Sequence, residues 1–525
     1  MAEEHAQMYK NVGKAEQESS RRRRVETTVQ LRREKRGNEL NKRRNIDETA
    51  EYESEVSDYE KDKVQFQYTL ADIRKVLTEN PSIEDLRNVF TFLRKQLSRP
   101  KDVPINEIVR EGLVQALVQG LAVNDSKVQY EAAWALTNIV SGESEHTQNA
   151  VNCGATQAFI KAAYCDDDPL AEQCFWGVAN IIGDCAALRD HAIECGFMDL
   201  LCHYCTPTKL AGLKVTFIRT LSWVCTNLCR HKQAQLSLQH VSILLPIIKM
   251  FVEFKDDSAK ADACWSLSYI TDTSDEILDL TIKSGILGSV REMLGTNTPE
   301  MLGPAVRVFG NLTSGSDLHT QKVIDMGILN REVPVIMQIA NPKIVKEVVW
   351  MLSNVAAGTI GQIQAIIDAG LLPRILHCLR TGDFRTQSEG AWALSNLCSS
   401  GNREQVQVYS LATCQVFQYI VPLLNVRHVE FITQILTVIK SVFNAVAALH
   451  PNQLEDFKTT FEEVGGIDVV EELQNHENSA IYELCYEIIQ TYFHDEDDEG
   501  ENVVPVGPKG DADTGPENSK PVFNF

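Results

Sequence analysis

Residues 133–142 read AWALTNIVSG, and residues 391–400 repeat this pattern as AWALSNLCSS. All six tryptophans of the chain belong to one such series, which consists of Trp134, Trp176, Trp223, Trp265, Trp350 and Trp392. Their spacings are 42, 47, 42, 85 and 42 residues, and the 85-residue spacing is two repeats with Arg307 at the skipped position. A tandem repeat of about 42 residues therefore decides the fold.

A glycine keeps the same interval, at Gly112, Gly154, Gly196, Gly285, Gly327 and Gly370. Each ends one apolar helical pattern and begins another, which predicts a left-handed helix cap. No strand-like alternation accompanies the repeat, and three helices with a glycine between two of them favour armadillo over HEAT. We predict an all-α, right-handed superhelical solenoid of about ten armadillo repeats. The expected domains are a flexible basic arm (1–64), the solenoid (65–493) and an acidic disordered tail (494–525).

Charge is divided unevenly along the 525 residues. Residues 1–44 carry 13 basic and 7 acidic residues, whereas the remainder carries 37 basic and 65 acidic residues. Such an acidic body repels nucleic acid and attracts basic partners. No run near the roughly 18 apolar residues of a membrane span is apparent, and the N-terminus lacks the apolar core of a signal peptide. We therefore expect an intracellular protein without membrane insertion.

The 14 cysteines are expected to be reduced and mostly buried in such a compartment. One cluster, formed by Cys195, Cys202, His203 and Cys205, has a C-x-x-C spacing that zinc sites use. A structural zinc site usually needs a second pair of ligands, and none is clear. Helix-packing cysteines are the preferred interpretation, with no metal and no cofactor.

The repeated helix carries a polar stripe. Four residues after each marker stands an amide or its substitute, at Asn138, Asn180, Asn227, Tyr269, Asn311, Asn354 and Asn396. Three residues before it stands an acid or a neutral polar residue, at Glu131, Gln173, Thr220, Asp262, Glu347 and Glu389. Positions three and four apart share one helix face. A buried amide would need hydrogen-bond partners in every repeat, so we predict that tryptophan and asparagine form an exposed ladder.

The chemistry of this ladder suits an extended basic peptide. An asparagine amide has both a donor and an acceptor, so it can pair with the N–H and C=O of one peptide residue. Slots between neighbouring indoles fit the aliphatic stem of lysine or arginine, and the cation near the ring face gains about 0.5–2 kcal/mol. Carboxylates such as Asp184 and Asp262 can pair with the tip of the side chain.

The repeat sequences resemble importin-α. The matching segments are AWALTNIVSG, FWGVANIIGD, LSWVCTNLCR, CWSLSYITD, VRVFGNLTSG, VWMLSNVAAG and AWALSNLCSS. The resemblance includes tyrosine for asparagine in the fourth repeat and arginine for tryptophan in the fifth. It implies a major site for nuclear localisation signals at Trp134, Asn138, Gly142, Thr147, Gln173, Trp176, Asn180, Asp184, Trp223, Asn227, Asp262 and Trp265. It implies a minor site at Arg307, Asn311, Thr320, Glu347, Trp350, Asn354, Glu389, Trp392 and Asn396.

Residues 21–44 carry 11 basic and 3 acidic residues and are too polar to form a core. On charge alone this segment could be a nucleic-acid-binding tail. It resembles the importin-β-binding arm of the family, and its Lys42-Arg43-Arg44 matches the self-inhibitory cluster. The residues implied in importin-β binding and autoinhibition are Arg21, Arg22, Arg23, Arg24, Arg32, Arg33, Lys35, Arg36, Lys42, Arg43 and Arg44. Unlike the usual family arm, residues 5–14 offer only Lys10 and Lys14.

The C-terminal end resembles the last repeat of the family, where an export receptor of the CAS type binds. Its acidic extension, HDEDDEGENVVP, could equally be a solubilising tail. No phosphate loop, nucleophile elbow or paired metal motif is present, so we do not expect an enzyme. A second alternative is an adhesion or signalling protein of the β-catenin type, whose groove is basic. The acids along this groove favour an import adaptor that shuttles between cytoplasm and nucleus, binding cargo signals and importin-β but not nucleic acid.

Overall fold

The structure, a computed structural model, describes residues 42–46, 68–232, 234–400 and 406–494. Within these ranges the chain is helical and contains no strand, as predicted. The first helices are α1 (Leu70–Thr78), α2 (Ile83–Leu97), α3 (Ile105–Arg110), α4 (Leu113–Gly120), α5 (Ser126–Val140), α6 (Ser144–Asn152), α7 (Ala155–Ala163), α8 (Asp168–Asp184), α9 (Ala186–Glu194), α10 (Phe197–Tyr204), α11 (Pro207–Leu210) and α12 (Val215–Cys229).

The middle helices are α13 (Leu238–Val252), α14 (Asp257–Ile270), α15 (Asp275–Lys283), α16 (Leu287–Leu294), α17 (Pro299–Thr313), α18 (Asp317–Asp325), α19 (Ile328–Ile336), α20 (Pro342–Ala356), α21 (Ile360–Asp368), α22 (Leu372–Thr381) and α23 (Phe384–Ser400). The last are α24 (Val406–Thr413), α25 (Phe417–Ile420), α26 (Val429–Leu449), α27 (Leu454–Glu463), α28 (Gly466–Leu473) and α29 (Ser479–Tyr492). Short 3₁₀ turns at Val421–Asn425 and Pro451–Gln453 complete the described elements.

The predicted glycines separate the first two helices of their repeats. Gly154 has φ 88° and Gly196 has φ 89°, in the left-handed region that side chains disfavour, and the other four lie there too. The long third helix of several repeats begins at an aspartate whose carboxylate accepts a backbone N–H. Asp125 caps α5 in this way, and Asp256 caps α14. In the repeats that carry them, these signals fix where the second and third helices start.

The third helices, α2, α5, α8, α12, α14, α17, α20, α23, α26 and α29, pack side by side in chain order. Their apolar residues, such as Leu136 and Ile139 of α5, are fully buried in a core that continues through the described repeats. Because each repeat touches mainly its neighbours, the stripes of successive third helices come to lie along one surface. This surface is the groove.

All 14 cysteines are free, but only six are buried; six are half-buried, and Cys185 and Cys202 are exposed. The prediction of mostly buried thiols is therefore correct only in part. In the suspected zinc cluster, Cys205 is buried while Cys202 faces solvent. Among the described residues, no group of three or more histidine, cysteine, aspartate or glutamate side chains could hold a metal ion.

One described helix, α26, is long and apolar enough by length and composition to cross a membrane. The expectation that no run approaches that length was therefore wrong. More than half of its most apolar window is buried in the protein, and α26 packs against α23, α24 and α29. Its hydrophobicity is explained by this central position, because a helix covered on several sides is apolar on several faces.

Candidate peptide-binding groove

The chain places its own residues 42–46 across the groove surface of α5 and α8. Asn180 pairs with the backbone of Arg43: its Oδ1 accepts from the amide N–H at 2.8 Å, and its Nδ2 donates to the carbonyl at 2.9 Å. Asn138 makes the same pair with Asn45, at 2.8 and 2.9 Å. One asparagine thus binds one backbone residue, and two residues of the segment correspond to one repeat.

The indoles complete this backbone recognition. Trp176 Nε1 donates to the Arg43 carbonyl at 2.7 Å, and Trp134 Nε1 donates to the Asn45 carbonyl at 3.0 Å. Each of these two carbonyls therefore accepts two hydrogen bonds, as its two lone pairs allow. Arg43 meets the later repeat and Asn45 the earlier one, so the segment runs in the direction opposite to the repeats. None of these contacts uses a side chain of the segment, so the ladder itself is indifferent to sequence.

Lys42 supplies the first sequence-dependent contact. Its ammonium donates to the Gly142 carbonyl at 2.9 Å and to Thr147 Oγ1 at 2.7 Å, and it forms an ion pair with Asp184. These three groups form the lysine pocket. The side chain of Lys42 is 13% exposed and that of Asp184 is 7% exposed, so the pair is largely shielded from solvent. The pocket matches an ammonium because it offers three acceptors to three donors.

Arg43 uses the aromatic slot and a second acid. Its guanidinium carbon lies 4.4 Å from the centroid of the Trp223 ring, and Nη2 lies 3.5 Å from Asp262 Oδ2. Burial raises the pKa of Asp262, and the nearby Arg43 guanidinium partly offsets that rise. A basic side chain at this position is therefore held by both a cation–π contact and a carboxylate.

Arg44 and Asn45 make fewer side-chain contacts than Lys42 and Arg43. Arg44 Nη2 donates to the Pro100 carbonyl at 3.0 Å, in an exposed contact. The Asn45 side chain donates to Gln173 Oε1 at 2.9 Å. The described segment therefore has its strongest side-chain contacts at Lys42 and Arg43.

The slot beside Trp134 is occupied by the protein itself. The Arg94 guanidinium carbon lies 4.7 Å from the Trp134 ring centroid, and Arg94 Nε donates to Glu131 at 2.8 Å. Both side chains are about nine-tenths buried. Glu131, a member of the polar stripe predicted from the sequence, therefore holds an internal arginine that covers one face of the ladder.

The asparagines are buried, contrary to the prediction of an exposed ladder. Even in the second half of the groove, Asn311 is 3% exposed and Asn354 is 2% exposed. The reason is a second role, because Asn311 Nδ2 donates to the Ser268 carbonyl of the preceding repeat at 2.8 Å. The same tie to the preceding repeat is made by Asn180, Asn227, Asn354 and Asn396. The amide links repeats and presents a hydrogen-bonding edge at once.

The second half of the groove repeats part of this chemistry. The Thr320 hydroxyl donates to the Thr313 carbonyl at 3.3 Å, much as Thr147 donates to the Val140 carbonyl at 3.1 Å. Trp350 packs against Gly310, where a Cβ would lie 2.3 Å from the ring. Trp350 Nε1 is buried and has no hydrogen-bond partner within the described residues. A buried donor of this kind favours a carbonyl as its partner.

The remaining predicted residues of the second half lie in the same row. Arg307 and Trp392 are half-buried, and Glu389 is buried. Glu347 Oε1 lies 3.9 Å from the Lys346 ammonium. At the end of the first half, Trp265 of the predicted major site and Tyr269 have ring centroids 6.0 Å apart. Beyond Asn396, the ladder positions are occupied by Thr437 and Ser441, whose hydroxyls donate to carbonyls of their own helix.

Three residues that support the lysine pocket or extend the bound segment were not predicted from the sequence. Ser144 Oγ donates to Asp184 Oδ2 at 2.7 Å and so helps to position that carboxylate. His146 accepts the Glu143 N–H through Nδ1 at 3.1 Å and lies beside Gly142. Asn45 extends the bound segment past the basic cluster. Ser144 and His146 lie between the pocket residues Gly142 and Thr147 in sequence, and this position was the signal that could have found them.

The basic arm is described only in part. Of its residues, Lys42, Arg43 and Arg44 lie within the described ranges. The others lie outside them: Arg21, Arg22, Arg23, Arg24, Arg32, Arg33, Lys35 and Arg36. The acidic tail from residue 495 onward also lies outside the described residues.

Family models and similar proteins agree with the armadillo-repeat fold of the chain. The model of the importin beta binding domain matches residues 5–90, the armadillo/beta-catenin-like repeat matches residues 101–141 and 359–399, and the atypical Arm repeat matches residues 455–506. Importin subunit alpha-2 of Caenorhabditis elegans is 38% identical over 502 residues, covering 94% of this chain and 92% of that protein. Importin subunit alpha-1a of Oryza sativa subsp. japonica is 31% identical over 499 residues, covering 94% and 93%.

A solved structure is similar in fold alone. A crystal structure of an engineered protein superposes with a TM-score of 0.69 at 21% identity and covers 80% of this chain and 98% of its own. Fold and groove together define an armadillo-repeat protein that holds an extended basic segment. The chain belongs to the importin-α family. This membership assigns it to the nuclear import adaptors, a class of transport proteins.

Proposed function

We propose that the chain binds Lys/Arg-rich nuclear localisation signals of cargo proteins in this groove and links them to importin-β. The observation that carries the proposal is the position of Lys42 and Arg43. A lysine has three acceptors in its pocket, and an arginine is stacked on Trp223 beside Asp262. A cargo peptide with the same two residues can form the same contacts, because the backbone ladder does not depend on sequence.

We propose further that the arm inhibits its own protein. Residues 42–46 occupy the positions that a cargo signal needs. Since the arm is tethered, its effective concentration at the groove is high, and a weak internal ligand can compete well. Binding of importin-β to the arm removes the competitor, so carrier and cargo load together. The protein then shuttles between cytoplasm and nucleus.

The second half of the groove is proposed as the minor site for a second basic cluster. The unpartnered Nε1 of Trp350 and the hydroxyl geometry of Thr320 support this assignment. The last repeat is proposed as the contact for an export receptor of the CAS type, and this part rests on the family resemblance. The domain division into a basic arm (1–64), a solenoid (65–493) and an acidic tail (494–525) belongs to the same proposal.

The test is fluorescence anisotropy with a labelled octapeptide that carries a Lys-Arg-Arg core. The protein is the full chain with Lys42→Ala and Arg43→Ala, which weakens the internal ligand and is called the arm-weakened chain below. It should bind the peptide at micromolar concentration or tighter, and adding Asp184→Lys should abolish binding. An acidic peptide of equal length is the control for a β-catenin-type groove. The proposal is wrong if the arm-weakened chain ignores the basic peptide or prefers the acidic one.

A further inference from the structure

Between the two halves of the groove lies a small cavity lined by His231, Lys232, Leu236, Tyr269, Asp272 and Thr273, among others. The Lys232 ammonium lies 3.7 Å from an Asp272 carboxylate oxygen. Its Nζ atom is buried and makes no hydrogen bond within the described residues. The Asp272 side chain is 6% exposed. A buried ammonium facing a buried carboxylate at the peptide-binding surface calls for an explanation, because burying either charge is costly.

The position of this cavity within the repeat explains why a buried ion pair lies there. The lysine pocket uses the residues eight and thirteen positions after a marker tryptophan, Gly142 and Thr147, and the residue eight positions after the next marker, Asp184. Counted from Trp223 and Trp265, the same positions are His231, Leu236 and Thr273. All three line the cavity. The cavity is therefore the equivalent, two repeats later, of the pocket that holds Lys42.

The contents of the two pockets differ in origin. In the first, the ammonium belongs to the extended segment and meets Asp184. In the second, the ammonium belongs to Lys232, which follows His231 in the loop after α12, and it meets Asp272, the neighbour of Thr273. The hydrogen bond from His231 to the Ile182 carbonyl (2.7 Å) holds this loop against α8. The chain thus carries a cation of its own where the repeat pattern would accept one from a peptide.

We propose that Lys232 is a specificity-determining residue that closes a latent lysine pocket between the two halves of the groove. It stops one continuous basic peptide from gaining a lysine contact there and leaves room for a neutral spacer. On the opposite side of the first site, Arg94 is likewise a cation of the protein itself in a position where a peptide side chain could bind, because it covers Trp134 and pairs with Glu131. This inference rests on the proposed function, since it concerns which peptides the same groove selects.

The position of the cavity beside Lys232 determines which residue of a bound peptide would reach it. The bound segment advances two residues per repeat, against the direction of the repeats, as Arg43 on Asn180 and Asn45 on Asn138 show. A pocket two repeats later therefore meets the peptide residue four positions before the key lysine. Two labelled peptides are compared that differ only at that position, one with lysine and one with alanine. A third peptide has alanine in place of the key lysine.

The experiment measures their affinities for the arm-weakened chain and for the same chain with Lys232→Ala. The arm-weakened chain should bind the two peptides equally. With Lys232→Ala, the peptide with the additional lysine should bind about tenfold more tightly than its alanine partner, because its ammonium replaces the lost one beside Asp272. Adding Asp272→Asn should remove this preference. If Lys232→Ala unfolds by circular dichroism, Lys232→Ser is used in the same comparison.

Three results would overturn the inference: equal binding of both peptides after Lys232→Ala, a lysine preference that is already present with Lys232 intact, or a preference that survives Asp272→Asn. Failure of the proposed function looks different. In that case the peptide without the key lysine binds the arm-weakened chain as well as the others do, or none of the three binds. The two failures are therefore distinguishable within one set of titrations.

Discussion

Asn180 forms a reciprocal pair of hydrogen bonds with the backbone of Arg43, accepting its N–H at 2.8 Å and donating to its carbonyl at 2.9 Å. The same Nδ2 also reaches the Thr137 carbonyl of the preceding repeat at 3.2 Å. One amide therefore holds two repeats together and recognises an extended chain. This double use explains how a buried residue can belong to a binding surface.

Removing that amide should weaken peptide binding. In the arm-weakened chain, Asn180→Ala loses two hydrogen bonds to the peptide backbone, and we expect about tenfold lower affinity for the basic octapeptide by anisotropy. Asn311→Ala is the matched control, because it loses a comparable tie between repeats but lies in the second half of the groove. Equal losses in the two variants would mean that the amides act only through stability.

Release of the arm should depend strongly on which basic residue is removed. In the otherwise unchanged full chain, Lys42→Ala removes an ammonium with three partners, and we expect the affinity for the basic octapeptide to rise about tenfold. Arg44→Ala removes an exposed contact with the Pro100 carbonyl and should change that affinity less than about twofold. Similar effects of the two substitutions would contradict the role of the lysine pocket.

Peptide affinity should fall in acid through Asp262. Burial raises the pKa of this carboxyl, whereas a bound arginine favours its ionised form. Arginine binding is therefore coupled to release of a proton from Asp262. The affinity for the basic peptide is highest at pH values above the raised pKa and decreases as the pH falls through that pKa. Anisotropy titrations of the arm-weakened chain between about pH 7 and about pH 4 measure this slope. Asp262→Asn should bind more weakly at neutral pH and show a shallower slope; an unchanged slope would refute the assignment.

Stability should also fall in acid through His231. Burial, opposed by the hydrogen bond to Ile182, lowers the pKa of its imidazole to about 4. Between that value and the ordinary pKa near 6.5, the unfolded chain binds a proton that the folded chain does not. The contribution of the neutral His231 to the free energy of unfolding is therefore fully present above about pH 6.5 and is lost progressively as the pH falls towards about 4. Urea midpoints at about pH 7 and about pH 5 should differ less for His231→Gln than for the unaltered chain.

The sequence predicted the solenoid well because its signals are local. A glycine such as Gly154 must adopt a positive φ between two helices, and a tryptophan such as Trp176 recurs at the same position in six of the repeats. The family resemblance implied Gly142, Thr147 and Asp184 as major-site residues and Lys42-Arg43-Arg44 as a self-inhibitory cluster, and the structure places the Lys42 ammonium against those three residues.

Other features depend on contacts between repeats and could not be read from one helix. The stripe placed Glu131 on the groove face, but one helix could not show that Arg94 from the preceding repeat donates a hydrogen bond to it. The asparagines were expected to be exposed, but carbonyls of the neighbouring helix satisfy their amides. Lys232 lies one position outside the repeat register, so only the folded loop reveals that its ammonium enters a pocket.

We propose that the arm and a cargo signal compete for one groove and that importin-β, by binding the arm, frees the groove for the cargo signal. The most direct measurement is the affinity of the full, unaltered chain for the labelled basic octapeptide with and without saturating importin-β. We expect at least about tenfold tighter peptide binding with importin-β present, because sequestering the arm removes a tethered competitor. The arm-weakened chain, in which the competitor is already weak, should gain much less. An importin-β that leaves peptide affinity in the unaltered chain unchanged, or lowers it, would contradict the account.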